Sequence, residues 1–466
     1  MFTQVSRVLL GLAAAAVGAN AEDVLGVFIF HRHGDRTART RQPVKLSALG
    51  ANQAHSSGTF YRDRYIVSGA DFQVRGLSPE IADLSQLSVT SPAEPIIQSS
   101  AQAFLQGLYP PTYTSDFLGD CTEVEAPLNG YQYVPVGAVK NAATSKDGCP
   151  SAETSSQSYF SSPQYLGMLS QTSEFYDRLA PVVGTSMSKD EVNFRNAYSV
   201  FDLINAARIH NSSVPFEDRL TDDNMDRLFR YASIQQWNLA FNESDPARAI
   251  AGSVLGGQIV DSLGAIVDGE RDAPLMSIQF GAHDTFMSFF GLSNLTKASR
   301  DFYGICNCAS SMAFELVTNA TGPSKPENVG VRFLFSNGTA SQNELTAFPL
   351  FGQEQTLLPW SDFKRKMTEF SINDDQAWCE LCGNTDGRCA ALLALGNNSD
   401  DKNDPENDPK NKSSNGITKT IAGVIGSVVT LAVTAAIESL LMLCGGYRLV
   451  NKSRLTRLSS SDTSLG

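Results

Sequence analysis

Apolar and polar positions along the 466-residue chain change period several times. Val27 to Phe30 form an unbroken apolar run of β-branched and aromatic side chains, the pattern of a strand buried on both faces. Ser47 then stands as an N-cap before a run through Leu49, Gln53 and Phe60 to Arg64, which predicts a helix. Arg195–His210, Asp218–Phe241 and Ala249–Val267 carry apolar residues at three- and four-residue spacing, so the middle of the chain reads helical. Pro274–Phe280 is a second buried strand. Ser310–Val317 and Val329–Asn337 read as a later strand pair joined by a loop that carries Asn319. This alternation predicts an α/β fold: a mixed sheet flanked by helices, with a mainly helical cap inserted over about residues 110–270.

Both ends leave this pattern. Met1–Ala21 contains Arg7, an apolar run from Val8 to Val17 and the small-x-small sequence Ala19-Asn20-Ala21, which together read as a signal peptide cut before Glu22. Ile421–Tyr447 is apolar apart from Glu438 and a few Thr and Ser, long enough for a transmembrane helix. Arg448, Lys452, Arg454 and Arg457 follow it. The positive-inside rule then predicts a single-pass type I membrane protein, with a cytoplasmic tail over 448–466 and its bulk in the lumen or outside the cell. The polar tail argues against a GPI signal. Gly423 and Ser427 form a small-xxx-small pair, a weak signal for self-association through that helix. Residues 393–420, almost bare of apolar side chains between 396 and 416, read as a disordered polar stalk. That leaves 22–392 as the folded domain.

Composition narrows compartment and partner. The formal charge, 36 − 49 = −13, argues against nucleic acid as a partner and still allows a local cationic pocket. Seven Asn-x-Ser/Thr sites precede the apolar segment, at Asn211, Asn242, Asn294, Asn319, Asn337, Asn397 and Asn411, as expected of a glycoprotein. Seven cysteines precede it too, which predicts structural disulfides with one thiol left over and leaves their pairing open. Cys379-x-x-Cys382 makes a poor zinc half-site, since its possible partners Cys306 and Cys308 have one residue between them.

The candidate chemistry sits where two strands stop. The first ends in Arg32-His33-Gly34-Asp35-Arg36, the second in Gly281-Ala282-His283-Asp284. Ligands of open α/β sheets bind beyond the carboxyl ends of the strands. If these strands are parallel neighbours, two arginines, two histidines and a carboxylate meet in one crevice. Arginine forks match phosphate oxygens. An imidazole among them can attack phosphorus, and a carboxylic acid can protonate the leaving oxygen. No metal-ligating acidic cluster accompanies the motifs, so no metal or other cofactor is expected.

Arg32-His33-Gly34-Asp35-Arg36-Thr37, with His283-Asp284 far downstream, resembles the histidine acid phosphatase branch of the histidine phosphatase superfamily, of the fungal acid phosphatase and phytase type. The helix from Leu46 to Tyr65 and the segment Ser99–Pro111 resemble the family as well, and the likeness spans about residues 24 to 370. It implies a phosphomonoester hydrolase with an acid optimum. His33 would be the phosphorylated nucleophile and Asp284 the proton donor, both catalytic, while Arg32, Arg36 and His283 would hold the substrate's phosphate. Asp35 falls on the family's variable position.

The chain also departs from that pattern. Ala38 stands where proline is usual. Aligning Ser100 with the family's Ser-Ala places Ile96, and before it Thr90, where the family commonly has arginine. Loss of one phosphate contact costs about 3 kcal/mol, or about a hundredfold in rate, if nothing replaces it. Arg39, Arg41, Arg195 and Arg208 are candidate replacements. The alternative expectation is a non-catalytic or weakly active surface protein that keeps a phosphate- or inositide-binding pocket.

Overall fold

The computed structural model describes residues 22–138, 147–183, 186–210, 220–319 and 325–396. The signal peptide, the transmembrane segment, the tail and nearly all of the stalk lie outside the described residues, as do Asn211, Asn397 and Asn411.

Alternation along the first strand sets the layering. In β1 (Asp23–Arg32) every residue after Asp23 is buried. Phe28 and Phe30 point into one core, Val27 and Ile29 into the other, as successive side chains of a strand must. β1 lies between β4 (Met276–Gly281), parallel to it, and β5 (Ser311–Thr318), antiparallel to it. β2 (Leu87–Ser91) and β3 (Gly137–Ala138) extend the parallel side. β6 (Val329–Ser336) and β7 (Leu357–Pro359) extend the antiparallel side. The order is β7-β6-β5-β1-β4-β2-β3, a mixed sheet as expected. The predicted strand pair is the β5–β6 hairpin, with Asn319 just beyond β5.

Helices cover both faces. On one side α1 (Ala48–Tyr65) and α2 (Pro95–Leu108) bury Tyr61, Tyr65, Phe104 and Leu108 against Val27 and Ile29. Each large apolar side chain so buried contributes about 2 kcal/mol before entropic costs. Ser47 caps α1 as predicted, its hydroxyl accepting from the Gly50 amide at 3.0 Å. The opposite face takes the second half of α5 (Asp222–Ala240), α6 (Ile250–Val267) and α7 (His283–Leu292).

The inserted stretch divides. α3 (Pro163–Val183), α4 (Ala197–His210) and the start of α5 enclose a core of their own, around Phe175, Phe194, Val200 and Leu228. They form the helical cap. α6 belongs instead to the layer on the sheet, because Leu255, Ile259 and Leu263 join Phe28 and Phe30 in one cluster. The helical stretch Pro246–Val267 is long and apolar enough to cross a bilayer by length and composition, yet 72% of its most apolar window is buried in this fold.

Two disulfides form, Cys149–Cys382 and Cys379–Cys389. They consume the Cys379-x-x-Cys382 pair and leave no zinc half-site there. The odd count predicts a single spare thiol; three stand unpaired among the described residues. Cys306 is buried in the sheet-side core and Cys121 lies exposed on the turn of the hairpin 115–125, so their settings keep them apart.

Candidate active site

Strand register brings the two motifs to one level. Arg32 pairs with Gly281 across the parallel β1–β4 ladder, and the His33 amide donates to the Gly281 carbonyl at 3.3 Å. Both chains then leave the sheet side by side. The loop after β1 is fastened to the two helices beneath it. The Gly34 amide donates to Ser100 Oγ at 3.1 Å, and that hydroxyl donates to the Ile96 carbonyl at 2.7 Å. Glycine is required here for space: a Cβ on Gly34 would stand 2.2 Å from the Gly50 carbonyl oxygen, and one on Gly50 would stand 2.0 Å from that of Asp35.

His33 Nδ1 donates to the Gly34 carbonyl at 2.8 Å, which leaves the lone pair on Nε2. Burial, then the charges of Arg32 and Arg36, hold its pKa well below the usual 6.5. The ring is therefore neutral at pH 6.5, with the lone pair of Nε2 open. His283 is likewise held well below 6.5 by burial and by Arg32 and Arg39. Its Nε2 donates to Gln236 Oε1 at 3.0 Å, its ring packs 4.7 Å from that of Tyr198, and its buried Nδ1 has no partner.

The arginines divide the work of lining and support. Arg32 is buried and donates through one terminal nitrogen to the Cys306 carbonyl, while its Nε has no partner. An unsatisfied buried donor is costly, and an anion beside Arg32 would satisfy that Nε. Arg36 forms an ion pair with Asp202 at 3.0 Å and donates to the Tyr198 hydroxyl at 3.0 Å. Both partners come from the cap helix α4.

His33, Arg36, His283 and Asp284 line one cavity of about 620 Å³. Arg32 is not among the lining residues, though its charge acts on both histidines. Ala282, His283 and Asp284 bring the first turn of α7 to the same wall, and a helix N-terminus favours an anion. Asp35 faces elsewhere: its carboxylate accepts from the Ser47 hydroxyl and from His210 Nε2, the latter at 2.6 Å. It ties the loop to α1 and to the cap.

Ile96 lines the cavity. Of the four candidate replacements, Arg39 alone lines it as well. Arg41 lines a separate cavity with Val183 and Leu203. Arg195 lies over the Phe160 ring at 4.4 Å, and Arg208 pairs with Asp222. His31 is structural: Nδ1 donates to the Arg32 carbonyl at 2.6 Å, and the ring packs 5.1 Å from that of Phe104. His55 is an exposed helix residue. Sequence reasoning missed Tyr198, Asp202 and Gln236. The i, i+4 spacing of Tyr198 and Asp202 on a mostly apolar helix is the one trace they leave.

The family described as histidine phosphatase superfamily (branch 2) matches residues 39–336, beginning just past the first motif and including the second. No curated protein matches the sequence significantly. Among solved structures, a Klebsiella phytase aligns with a TM-score of 0.53 at 14% identity, covering 76% of this chain and 95% of that one. A Citrobacter braakii phytase aligns at 0.51 and 12% identity, covering 77% and 99%. A Hafnia alvei phytase bound to tartrate aligns at 0.50 and 14%, covering 76% and 98%. Likeness at such identities is likeness of fold. The family match, by contrast, runs over more than half of the sequence, and by it the chain belongs to branch 2 of the histidine phosphatase superfamily.

Proposed function

We propose that the chain is a phosphomonoester hydrolase that works through a phosphohistidine. The observation that carries this is His33: a neutral imidazole with its Nε2 lone pair left open, in one cavity with His283 and Asp284. In the first step Nε2 attacks phosphorus and the P–O bond to the alcohol breaks. The Asp284 carboxyl gives its proton to the departing oxygen. Arg32, Arg36 and His283 bear the charge of the phosphoryl oxygens, as the resemblance implies. In the second step water attacks phosphorus, the N–P bond breaks, the water's proton returns to Asp284, and phosphate leaves. Acid pH keeps the proton on Asp284 without silencing His33, whose pKa lies well below 6.5.

Arg39 stands in for the cation missing at Ile96, since it lines the same cavity and its charge reaches His283. The chain's ends support an extracytoplasmic setting: a cleaved signal peptide, a single-pass type I anchor with a polar stalk, glycans on the sequons, and weak self-association through the anchor. Of the sequons, Asn294, Asn319 and Asn337 are exposed.

The test is to mix the full-length protein with a labelled phosphomonoester, quench within milliseconds, and locate the phosphoryl group by mass spectrometry at neutral pH. Label on His33 is the expected result; turnover with no labelled histidine would overturn the proposal. Ile96 on the cavity wall favours one other reading, a phosphate-binding protein without turnover. It requires that phosphate bind while ester hydrolysis stays at background.

A further inference from the structure

The cavity is far larger than one phosphoryl group, and the buried and the more exposed parts of its lining differ in chemistry. His33, Arg36 and His283 belong to the buried part. The half-buried and exposed lining holds Pro43, Val44, Pro95, Ile96 and Leu239, the carboxylates of Glu94 and Asp147, and also Arg39 and Gln42. Val44, Ile96 and Leu239 are only half-buried, so apolar surface remains for a ligand to cover. Resting on the phosphatase reading above, we infer that the leaving group is an apolar alcohol. The preferred substrate is then a monophosphate ester with a single phosphate on an alkyl or aryl body.

The argument follows the position of the second half of the substrate. With one phosphate held at the strand tips, the rest of the molecule lies along the more exposed wall. A polyphosphorylated inositol would set further dianions against hydrocarbon and against Glu94, with Arg39 the one exposed cation of the lining. Burying charge beside apolar groups is unfavourable, and like charges repel. An alkyl body covers the same wall favourably, by about fourfold in affinity per methylene removed from water. Ile96 gains a role by this account. At a position where the family resemblance leads one to expect a guanidinium, it offers hydrocarbon contact to the alcohol.

The test compares kcat/KM of the full-length protein on methyl, butyl and hexyl phosphate and on inositol hexakisphosphate at one ionic strength. A rising alkyl series, with hexyl phosphate about tenfold or more above the hexakisphosphate, is the expected result. A flat series, or faster turnover of the hexakisphosphate, overturns the inference and leaves the phosphatase reading standing. Absence of turnover on every ester overturns the phosphatase reading and the inference with it. Ile96→Arg and Glu94→Lys should each move the ratio toward the hexakisphosphate by about tenfold. Glu94 is exposed, so its variant tests the wall without disturbing the core. An unchanged ratio in both variants overturns the inference.

Discussion

The floor of the cavity and the cap that faces it are built by opposite means. The floor is two strand tips in parallel register, and its reacting groups are set by backbone contacts: His33 by the carbonyls of Gly34 and Gly281. The cap acts through side chains. Tyr198 and Asp202 on α4 hold Arg36, while Gln236, in the half of α5 that packs on the sheet, accepts from His283. The difference separates making the nucleophile from aiming the charges around it. Changes in the cap can retune phosphate binding while leaving the imidazole in place.

The largest effect should come from the floor. His33→Ala removes the proposed nucleophile and should lower kcat by about 10⁴-fold or more, with loss of the labelled phosphoenzyme in rapid-quench experiments. Asp284→Asn should cost about 10²–10⁴-fold on alkyl phosphates. The loss should shrink on p-nitrophenyl phosphate, whose leaving group departs without a proton; equal losses on both would remove Asp284 from the donor role. The cap should matter less. Asp202→Ala leaves Arg36 without its carboxylate and should lower kcat/KM by roughly 10–100-fold, whereas Asp202→Asn, which keeps an acceptor, should recover most of that. Matching losses in the two variants would mean that the cap does not aim this cation.

The smallest effect on turnover, though not on folding, is a pH dependence of stability. His31, His33 and His283 have folded-state pKa values below 6.5, His31 at about 4 through burial. Below pH 6.5 the unfolded chain takes up protons that the folded chain refuses. Stability is thus fully present above pH 6.5 and declines as pH falls, with the His31 share levelling off near pH 4. That share is on the order of 3 kcal/mol. Denaturation midpoints between pH 7 and 4.5 should fall less steeply in His31→Phe than in the natural chain. Parallel slopes would show that the ring is already protonated when folded.

The same division explains what a sequence can reveal. Strand tips are legible because their chemistry is contiguous: an apolar run, then Arg32 to Arg36; another, then His283-Asp284. The cap partners are not, because Arg36 meets Tyr198 and Asp202 across 162 and 166 residues. Their i, i+4 spacing is the one local trace, and it does not say what they hold. The periodicity that reveals α6 as a helix cannot say which layer receives it. An apolar helix with no polar face is buried somewhere, and here it is buried on the sheet. Cysteine counts fail for a related reason, since pairing depends on which strands and loops come within reach after folding.

The contact between Gly34 and Gly50 limits how this centre can change. Where the His33 ring sits is dictated by two stretches of main chain pressed together with no room for even a methyl group. Repainting the walls can therefore alter which alcohol is accepted, but it cannot relocate the attack. Shifting that point by an ångström would require re-cutting the start of α1, so variation that preserves activity is confined to the rim.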